Sequence, residues 1–327
     1  MPWFSTRSHN NARWRMLATL VAGSLFSTSA LSAAEESNGY VDKLIERFKN
    51  SDIRLGNTAS NKPFIPMVYL DTRAYGDTET DTRAGDRLNY RLFSTSQAAG
   101  LPLVLSDRDV LILGEYVNYS RFLVDTGNVD DFSVTSLGLP IGWLRQVNPD
   151  WQIAAFVMPM LHHSTIKSNT DNWQTMGGIF SRYVQNEQLW WAFGFFADHA
   201  ADGDLYLPYI GASWAMTPEW SVSAIMPWPD ITWAPTRDFF ISVGASLSGA
   251  SWTVDEGDGD VAIDLDGWDF GASLNQRVTG NLWGHIKLGV GGLRGFRWED
   301  SDFEQADTPI DSDLFFSIGV EYRPGID

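Results

Sequence analysis

Two side chains that could act together in catalysis occur in the run His162-His163-Ser164. Residues two apart on a β-strand point to the same face, and a histidine next to a serine hydroxyl is a pairing of general base and nucleophile. No carboxylate in the sequence can be assigned to orient His162. We therefore weigh an acyl hydrolase built on His162 and Ser164 against a polar rim in which these residues carry no chemistry.

Acidic side chains are concentrated in residues 255–269 and 299–313, which contain no lysine or arginine. Carboxylate oxygens are the ligands that Ca²⁺ and Mg²⁺ prefer. The candidate metal ligands are Asp255, Glu256, Asp258, Asp260, Asp300 and Asp302. Their spacing does not match the calcium-binding loop D-x-D-x-D-G with Glu at position twelve. The alternative is a pair of solvated acidic loops that repel each other.

A third group of candidates consists of charged residues within stretches of alternating apolar residues: Arg182, His285, Lys287, Arg297 and Glu321. Stretches of this kind could be strands of a membrane-spanning β-barrel. A charge that faces lipid at the middle of a membrane costs about 2–4 kcal/mol, so in such a barrel these side chains are expected to face the lumen. There they either line a channel or brace a closed interior. Adjacent aromatic pairs such as Phe195-Phe196 are expected to place one ring outside and one inside. The alternative is a conduit for a hydrophobic substrate.

The strands that would position these residues begin at short turns followed by tryptophan. Turns at 148–150, 217–219 and 279–281 precede Trp151, Trp220 and Trp283. Because amphipathic rings concentrate at membrane interfaces, these three tryptophans and Tyr322 are expected to form an interfacial girdle. Longer connections alternate with the short turns, which is typical of outer-membrane barrels with short periplasmic turns.

Alternation over residues 63–322 predicts an all-β fold, a transmembrane antiparallel up-and-down β-barrel of 14 strands. The weakest strands are 219–227 and 230–235, because Pro227, Pro229 and Pro235 cannot donate to a strand ladder. If that pair is a loop, the count falls to 12. Residues 323–327 form a C-terminal extension.

The first 34 residues carry the pattern of a secretory signal peptide. Three arginines precede an apolar run from Met16 to Ala30 and the small residues Ser32-Ala33-Ala34. Residues 35–62 are expected to form a periplasmic segment with a short amphipathic helix. The apolar stripe of this helix consists of Val41, Leu44, Ile45 and Phe48.

Composition excludes several classes of function. Without residues 1–34 the chain has 20 basic and 41 acidic side chains, a net charge of −21. Such a chain repels nucleic acid phosphates. It contains no cysteine, so neither disulfides nor thiolate metal sites can form.

The last strand, 311–322, is similar to the C-terminal signal strand of bacterial outer-membrane proteins, although Arg323 to Asp327 follow its aromatic Tyr322. Over residues 63–322 the chain resembles the proteobacterial outer-membrane β-barrels grouped as a family of unknown function. The resemblance implies a location in the bacterial outer membrane after cleavage of the signal peptide. It also implies outer-membrane lipids, lipopolysaccharide and the barrel insertion machinery as partners, and it supplies no site residues.

From these patterns we expect a passive channel or uptake pore for a small cationic or apolar solute. We expect no enzymatic activity and no cofactor. Whether the outer loops bind Ca²⁺ or Mg²⁺ is left as an open alternative. One alternative is a non-conducting structural or adhesion barrel that bridges lipopolysaccharide through divalent cations. Another is a lipid acyl hydrolase, since the H-x-S spacing of His162 and Ser164 is similar to that of lipid A deacylases.

Overall fold

The computed structural model describes residues 43–44, 46–54, 59–63, 66–81, 87–125, 130–166, 170–200, 203–226, 228–255, 260–298 and 308–324. The chain divides into two compact units, Met1–Phe48 and Lys49–Asp327. In the first unit the described residues, 43–44 and 46–48, are helical. The predicted signal peptide lies outside the described residues. No helix in the described part of the chain is long and apolar enough to cross a membrane.

The second unit is an antiparallel β-barrel built from sixteen β-segments. They are β1 (Val68–Asp81), β2 (Arg87–Ser106), β3 (Asp109–Val124), β4 (Phe132–Gly138), β5 (Ile141–Gln146), β6 (Trp151–Ser164), β7 (Thr170–Val184), β8 (Leu189–Ala200), β9 (Gly203–Ala215), β10 (Trp220–Ser223), β11 (Asp230–Thr236), β12 (Phe239–Asp255), β13 (Asp260–Thr279), β14 (Leu282–Trp298), β15 (Thr308–Ile310) and β16 (Asp313–Tyr322).

Two pairs of segments are each one interrupted barrel strand. Both β4 and β5 pair with β3 and β6, and the break falls at Leu139 and Pro140. Both β15 and β16 pair with β1 and β14. The barrel therefore has 14 strands, as predicted.

The first and last strands close the barrel. β1 pairs with β16 in continuous antiparallel register from Val68 opposite Tyr322 to Tyr75 opposite Phe315. The proline-rich strands also belong to the wall, because β10 pairs with β9 and with β11. Pro229 precedes β11, and Pro235 lies where the register between β11 and β12 shifts. These prolines occupy positions where the ladder is already interrupted, so the count of 14 holds.

Alternation separates an outward apolar face from the lumen. On β14, Leu282, Ile286 and Leu288 are exposed on the outside, whereas Trp283 and His285 point inward. β16 follows the same rule, with alternate residues from Leu314 to Val320 outside and Phe315 and Ser317 inside. The inward position expected for His285 is the one observed, and Trp283 shares that face.

The barrel has two distinguishable ends. Turns of two to four residues lie at one end, which we call the turn end, together with both ends of the barrel sequence. The opposite end, the loop end, carries most of the longer connections, at 82–86, 125–131, 165–169, 224–229, 256–259 and 299–307.

Gly280 is required by the turn between β13 and β14. It adopts φ 50°, in the left-handed region that glycine enters without steric cost. We expect Gly280→Val to lower the free energy of unfolding by about 1–2 kcal/mol, because a β-branched side chain is strained there. Urea unfolding of the refolded barrel measures this change. Gly280→Asn is the control and should cost less, since asparagine tolerates this conformation.

Candidate functional site

The lumen is the candidate functional site, and one of its walls carries a network of charges. On β1, Arg73 lies between Asp269 of β13, with which it forms a hydrogen-bonded ion pair, and Asp71, whose Oδ1 is 3.7 Å from Arg73 Nη2. Tyr75 donates its hydroxyl to Asp269 Oδ2 at 2.6 Å. Asp269 is completely buried, so its charge depends on these partners.

The same network continues toward the turn end through His285. Its Nε2 lies 2.8 Å from Asp71 Oδ2, and its Nδ1 lies 3.4 Å from Glu321 Oε1. Glu321 in turn contacts Arg323 at 2.7 Å. Each of the three carboxylates thus has a guanidinium or imidazole partner. We call this chain from Asp269 to Arg323 the charged ladder, and it braces the wall rather than presenting free charge.

Lys287 lies beside the charged ladder, on the same Phe315 ring as Arg73, and Arg182 lies away from it. Lys287 Nζ lies 3.2 Å from Ser246 Oγ and 5.4 Å from the centre of the Phe315 ring. Arg182 lies on β7, in the opposite wall, and donates to the backbone oxygen of Arg54 at 2.8 Å. The side chain of Arg297 lies outside the described residues.

The wall formed by β6 to β9 has an apolar region in the middle of its lumen face. The rings of Phe156 and Phe180 stack at 5.9 Å, Phe156 lies 6.4 Å from Phe196, and Phe180 meets Tyr209 edge-on at 5.3 Å. Strand alternation adds Met158, Met160 and Met176 to the same inner face. We call these seven residues the apolar patch.

Two inward glycines make room for these rings. A Cβ placed on Gly178 would lie 2.8 Å from Phe180 Cε2, and one on Gly194 would lie 2.5 Å from Phe180 Cδ1. Because glycine leaves this space open, the Phe180 ring can lie against the wall. The patch was missed in the sequence. The sequence pattern that could have revealed it is the set of alternate residues Phe156, Met158 and Met160, which lie on the same face of β6 as His162.

An aromatic cluster closes the lumen toward the loop end. Trp252 of β12 is almost fully buried and lies 5.5 Å from Phe122 and 5.7 Å from Phe132. Thr170 of β7 donates to the backbone oxygen of Thr253. β12 therefore reaches across the lumen and packs on strands of the opposite wall.

Residues 49–54 and 59–63, which we call segment 49–63, contact the inner wall of the barrel. The backbone oxygen of Arg54 accepts hydrogen bonds from Gln152 and Arg182, each at 2.8 Å. Further along, Asn61 donates to Pro218 O at 2.7 Å, and Lys62 forms an ion pair with Asp230 at 2.6 Å. Polar contacts thus hold both described parts of this segment to the barrel.

The barrel wall has a notch in its loop-end half. β10 pairs with β9 only at Ser213, Trp214 and Ala215, although β9 begins at Gly203. On the other side β11 reaches β12 only as far as Gly244, although β12 continues to Asp255. Within the described residues, the loop-end halves of β9 and β12 have no strand between them.

His162 does not pair with Ser164. Its Nδ1 lies 2.7 Å from Ser136 Oγ on β4, and its Nε2 lies 2.8 Å from Gln174 Oε1. Ser164 Oγ accepts instead from the backbone N–H of Ile166. Ser136, which belongs to another strand, had no local signal in the sequence. Both His162 and Ser164 are buried inside the barrel, away from the outward face.

Two of the six predicted metal ligands have a described position, at the loop end. Asp255 and Asp260 terminate β12 and β13, but their side chains are not among those described. Glu256, Asp258, Asp300 and Asp302 lie outside the described residues. In the part of the chain that the structure describes, no three His, Asp or Glu side chains are grouped as metal ligands.

The outward position that the girdle prediction requires is seen for Trp151 and Trp220, which are 38% and 44% exposed, and for Tyr322, which shares the face of the outward residues of β16. The prediction is wrong for Trp283, which is 1% exposed and packs inside the barrel against Phe240 at 5.7 Å. The reason is alternation, since Trp283 shares the inner face of β14 with His285. Other outward rings at the turn end are Tyr183, 4.8 Å from Trp151, and Trp233.

A shallow groove of about 480 Å³ lies on the outside of the wall. Most of its lining alternates outward, including Ile141, Val157, Ile179 and Phe195. It belongs to the apolar outer surface and not to the lumen.

Comparisons with known proteins give weak structural similarity only. No family model matches the chain, and no curated protein matches it. An outer-membrane channel from Pseudomonas putida F1 is 11% identical, with TM-score 0.43, over 80% of this chain and 97% of the other. A FadL homologue from Pseudomonas aeruginosa is 12% identical, with TM-score 0.40, over 84% and 97%. The translocator domain of the autotransporter NalP from Neisseria meningitidis is 11% identical, with TM-score 0.39, over 91% and 99%. These scores identify neither a family nor a function.

We expect Asp269→Ala to destabilise the barrel by about 3 kcal/mol, because Arg73 loses its fully buried partner. Urea unfolding of the refolded protein measures the loss. Arg73→Met combined with Asp269→Ala should recover part of it, since no unpaired charge remains. The matched control is Asp131→Ala, which breaks the half-exposed pair with Arg121 and should cost less than about 1 kcal/mol. Equal losses in the two single variants would contradict the role of the ladder.

We expect Trp252→Ala to raise the ion conductance of the protein in planar bilayers, because it removes the ring that spans the aromatic closure. Trp268→Ala is the control, since Trp268 stacks on Phe270 on the outward face and should leave the current unchanged. A Trp252→Ala protein that inserts normally and conducts no better than wild type would contradict closure at this cluster.

Proposed function

We propose that this protein is a passive channel of the bacterial outer membrane for small apolar solutes. The observation that carries the proposal is the apolar patch, an aromatic and methionine surface on the inside of a closed barrel. The interior of a water-filled porin is polar. Buried apolar surface inside a barrel instead favours solutes that leave water for hydrocarbon contact.

The location is supported by the outer surface. Leucine, isoleucine, valine and aromatic side chains are exposed around the barrel, and soluble proteins rarely expose so much contiguous apolar surface. In this orientation the turn end faces the periplasm and the loop end faces the outside.

The lumen carboxylates are already paired within the protein, and this pairing favours an apolar solute over a cationic one. Asp71, Asp269 and Glu321 are each satisfied within the charged ladder. A cation would have to displace Arg73, His285 or Arg323 from its carboxylate, at the cost of leaving a buried charge unpaired. The apolar patch requires no such exchange.

The notch supplies a route through the side of the wall. β9 forms one edge of the notch, and it also contributes Tyr209 to the apolar patch. Leu207 lies on the same inner face as Tyr209 and is substantially exposed. An apolar solute can therefore pass between the patch and the hydrocarbon layer beside β9 without crossing the aromatic cluster or segment 49–63.

The experiment measures entry of N-phenyl-1-naphthylamine, a small apolar fluorophore that brightens when it leaves water. Gram-negative cells that produce the protein should take it up several-fold faster than cells with an empty vector. Phe156→Asp places a charge in the apolar patch and should return the rate to about that of the vector. Ser242→Asp is the matched control, because it places the same charge on the polar wall beside Ser273 and should leave uptake largely intact.

Folding of each variant is verified by heat-modifiable migration on a denaturing gel. A folded wild-type protein that gives no faster uptake than the vector would contradict the proposal. Equal loss in Phe156→Asp and Ser242→Asp would contradict the assignment of passage to the patch.

A further inference from the structure

Above the apolar patch, toward the loop end, lies a row of buried and half-buried polar side chains that spans four strands. Ser136, His162, Gln174 and Asp198 come from β4, β6, β7 and β8. His162 lies 2.7 Å from Ser136 Oγ and 2.8 Å from Gln174 Oε1, and Gln174 Nε2 lies 2.7 Å from Asp198 Oδ2. We call this row, together with Asn172, the polar cluster.

Chemistry fixes the direction of these hydrogen bonds. A carboxylate only accepts, so Gln174 donates its amide N–H to Asp198. The amide oxygen of Gln174 then accepts from His162 Nε2–H, and in the neutral imidazole Nδ1 accepts from the Ser136 hydroxyl. Both ring nitrogens of His162 are therefore used within the protein. The row therefore offers no free imidazole nitrogen to a ligand.

Asn172 differs from these residues because its donor is not used. It lies directly opposite His162 in the register of β6 and β7 and is only 7% exposed. Its side-chain Nδ2 is buried and has no hydrogen-bond partner among the described residues. A buried donor without a partner costs about 1–3 kcal/mol, and such groups in native proteins call for a functional explanation.

The residues next to Asn172 indicate what kind of molecule would accept a hydrogen bond from it. Going from the polar cluster toward the turn end, the next inward residues are Met160 and Met158 on β6 and Met176 on β7. Inward positions on a strand follow each other at about 7 Å, so Met160 lies within the length of one small aromatic molecule from Asn172, and Met158 and Met176 lie one inward position further. Thioether side chains are flexible and adapt to the shape of an apolar partner.

We propose that the polar cluster binds the hydrogen-bond-accepting end of a small, otherwise apolar solute, with Asn172 Nδ2 as the donor and Met160, the nearest residue of the apolar patch, against its apolar body. The preferred solutes are then aromatic or alkyl compounds that carry one carbonyl or similar acceptor, not plain hydrocarbons. The proposal rests on the passage of apolar solutes inferred above and adds a selectivity residue to it.

The test compares two planar molecules of equal size, acetophenone and α-methylstyrene, which differ by a carbonyl oxygen in place of a methylene group. Calorimetric titration of the detergent-solubilised full-length protein gives the Kd of each. In Asn172→Leu the ratio of Kd for acetophenone to Kd for α-methylstyrene should rise about five- to tenfold over wild type, the effect of one lost hydrogen bond. Binding of α-methylstyrene should change little.

Two further variants keep the test decisive. Asn172→Asp retains the shape but replaces the donor by an acceptor, so it should raise the same ratio at least as much. Asn275→Leu is the matched control, because Asn275 is a buried lumen asparagine whose Nδ2 already donates to Ser273 at 2.9 Å. Its ratio should equal that of wild type.

The possible failures are distinguishable. A ratio unchanged in both Asn172 variants, with α-methylstyrene still bound, would overturn the selectivity site and leave the apolar channel intact. A wild-type protein that binds neither compound would overturn the apolar channel and the site together. A ratio that rises equally in Asn275→Leu would also overturn the site, since the effect would not be specific to Asn172.

Discussion

The structure depends on closure of the sheet between β1 and β16. Eight consecutive residue pairs, from Val68–Tyr322 to Tyr75–Phe315, join the two ends of the barrel sequence. Because the side-chain period of a strand is two, this register fixes which residues face the lumen, and a slip of one residue would exchange the two faces. Closure also brings Asp71 and Arg73 beside Ser317 and Glu321, so the charged ladder exists only in the closed barrel.

In the closed barrel the inward side chains must be satisfied by contacts with one another, and the two walls provide these contacts in different ways. The wall of β1, β13, β14 and β16 pairs its charges along the ladder. The wall of β6 to β9 presents aromatic rings and methionines, with the polar cluster at its loop-end side. The aromatic cluster at Trp252 spans the lumen near the loop end, and the described parts of segment 49–63 are attached to the inner wall, while the short strands β10 and β11 leave the side of the wall incomplete. These features together are the basis for the proposed passage of an apolar solute through the side of the wall.

Much of the fold could be predicted from the sequence, because it rests on local alternation. Leu282 to Val290 and Leu314 to Val320 show their faces directly, and 14 strands follow from the alternating segments. Trp283 was misassigned because the rule for interfacial aromatics competed with alternation, and alternation prevailed. The sequence drew attention to His162 as a partner of Ser164. In the structure its partner is Ser136, which lies 26 positions earlier. Contacts between strands depend on register, which no local spacing reveals.

The most direct test of the central claim is to locate an apolar molecule in the protein. Crystals of the full-length barrel soaked with iodobenzene would show the iodine by its anomalous scattering. We expect a peak inside the lumen against Phe156, Phe180 and the neighbouring methionines. Iodine found only on the outward face, with the lumen empty at the apolar patch, would contradict the account.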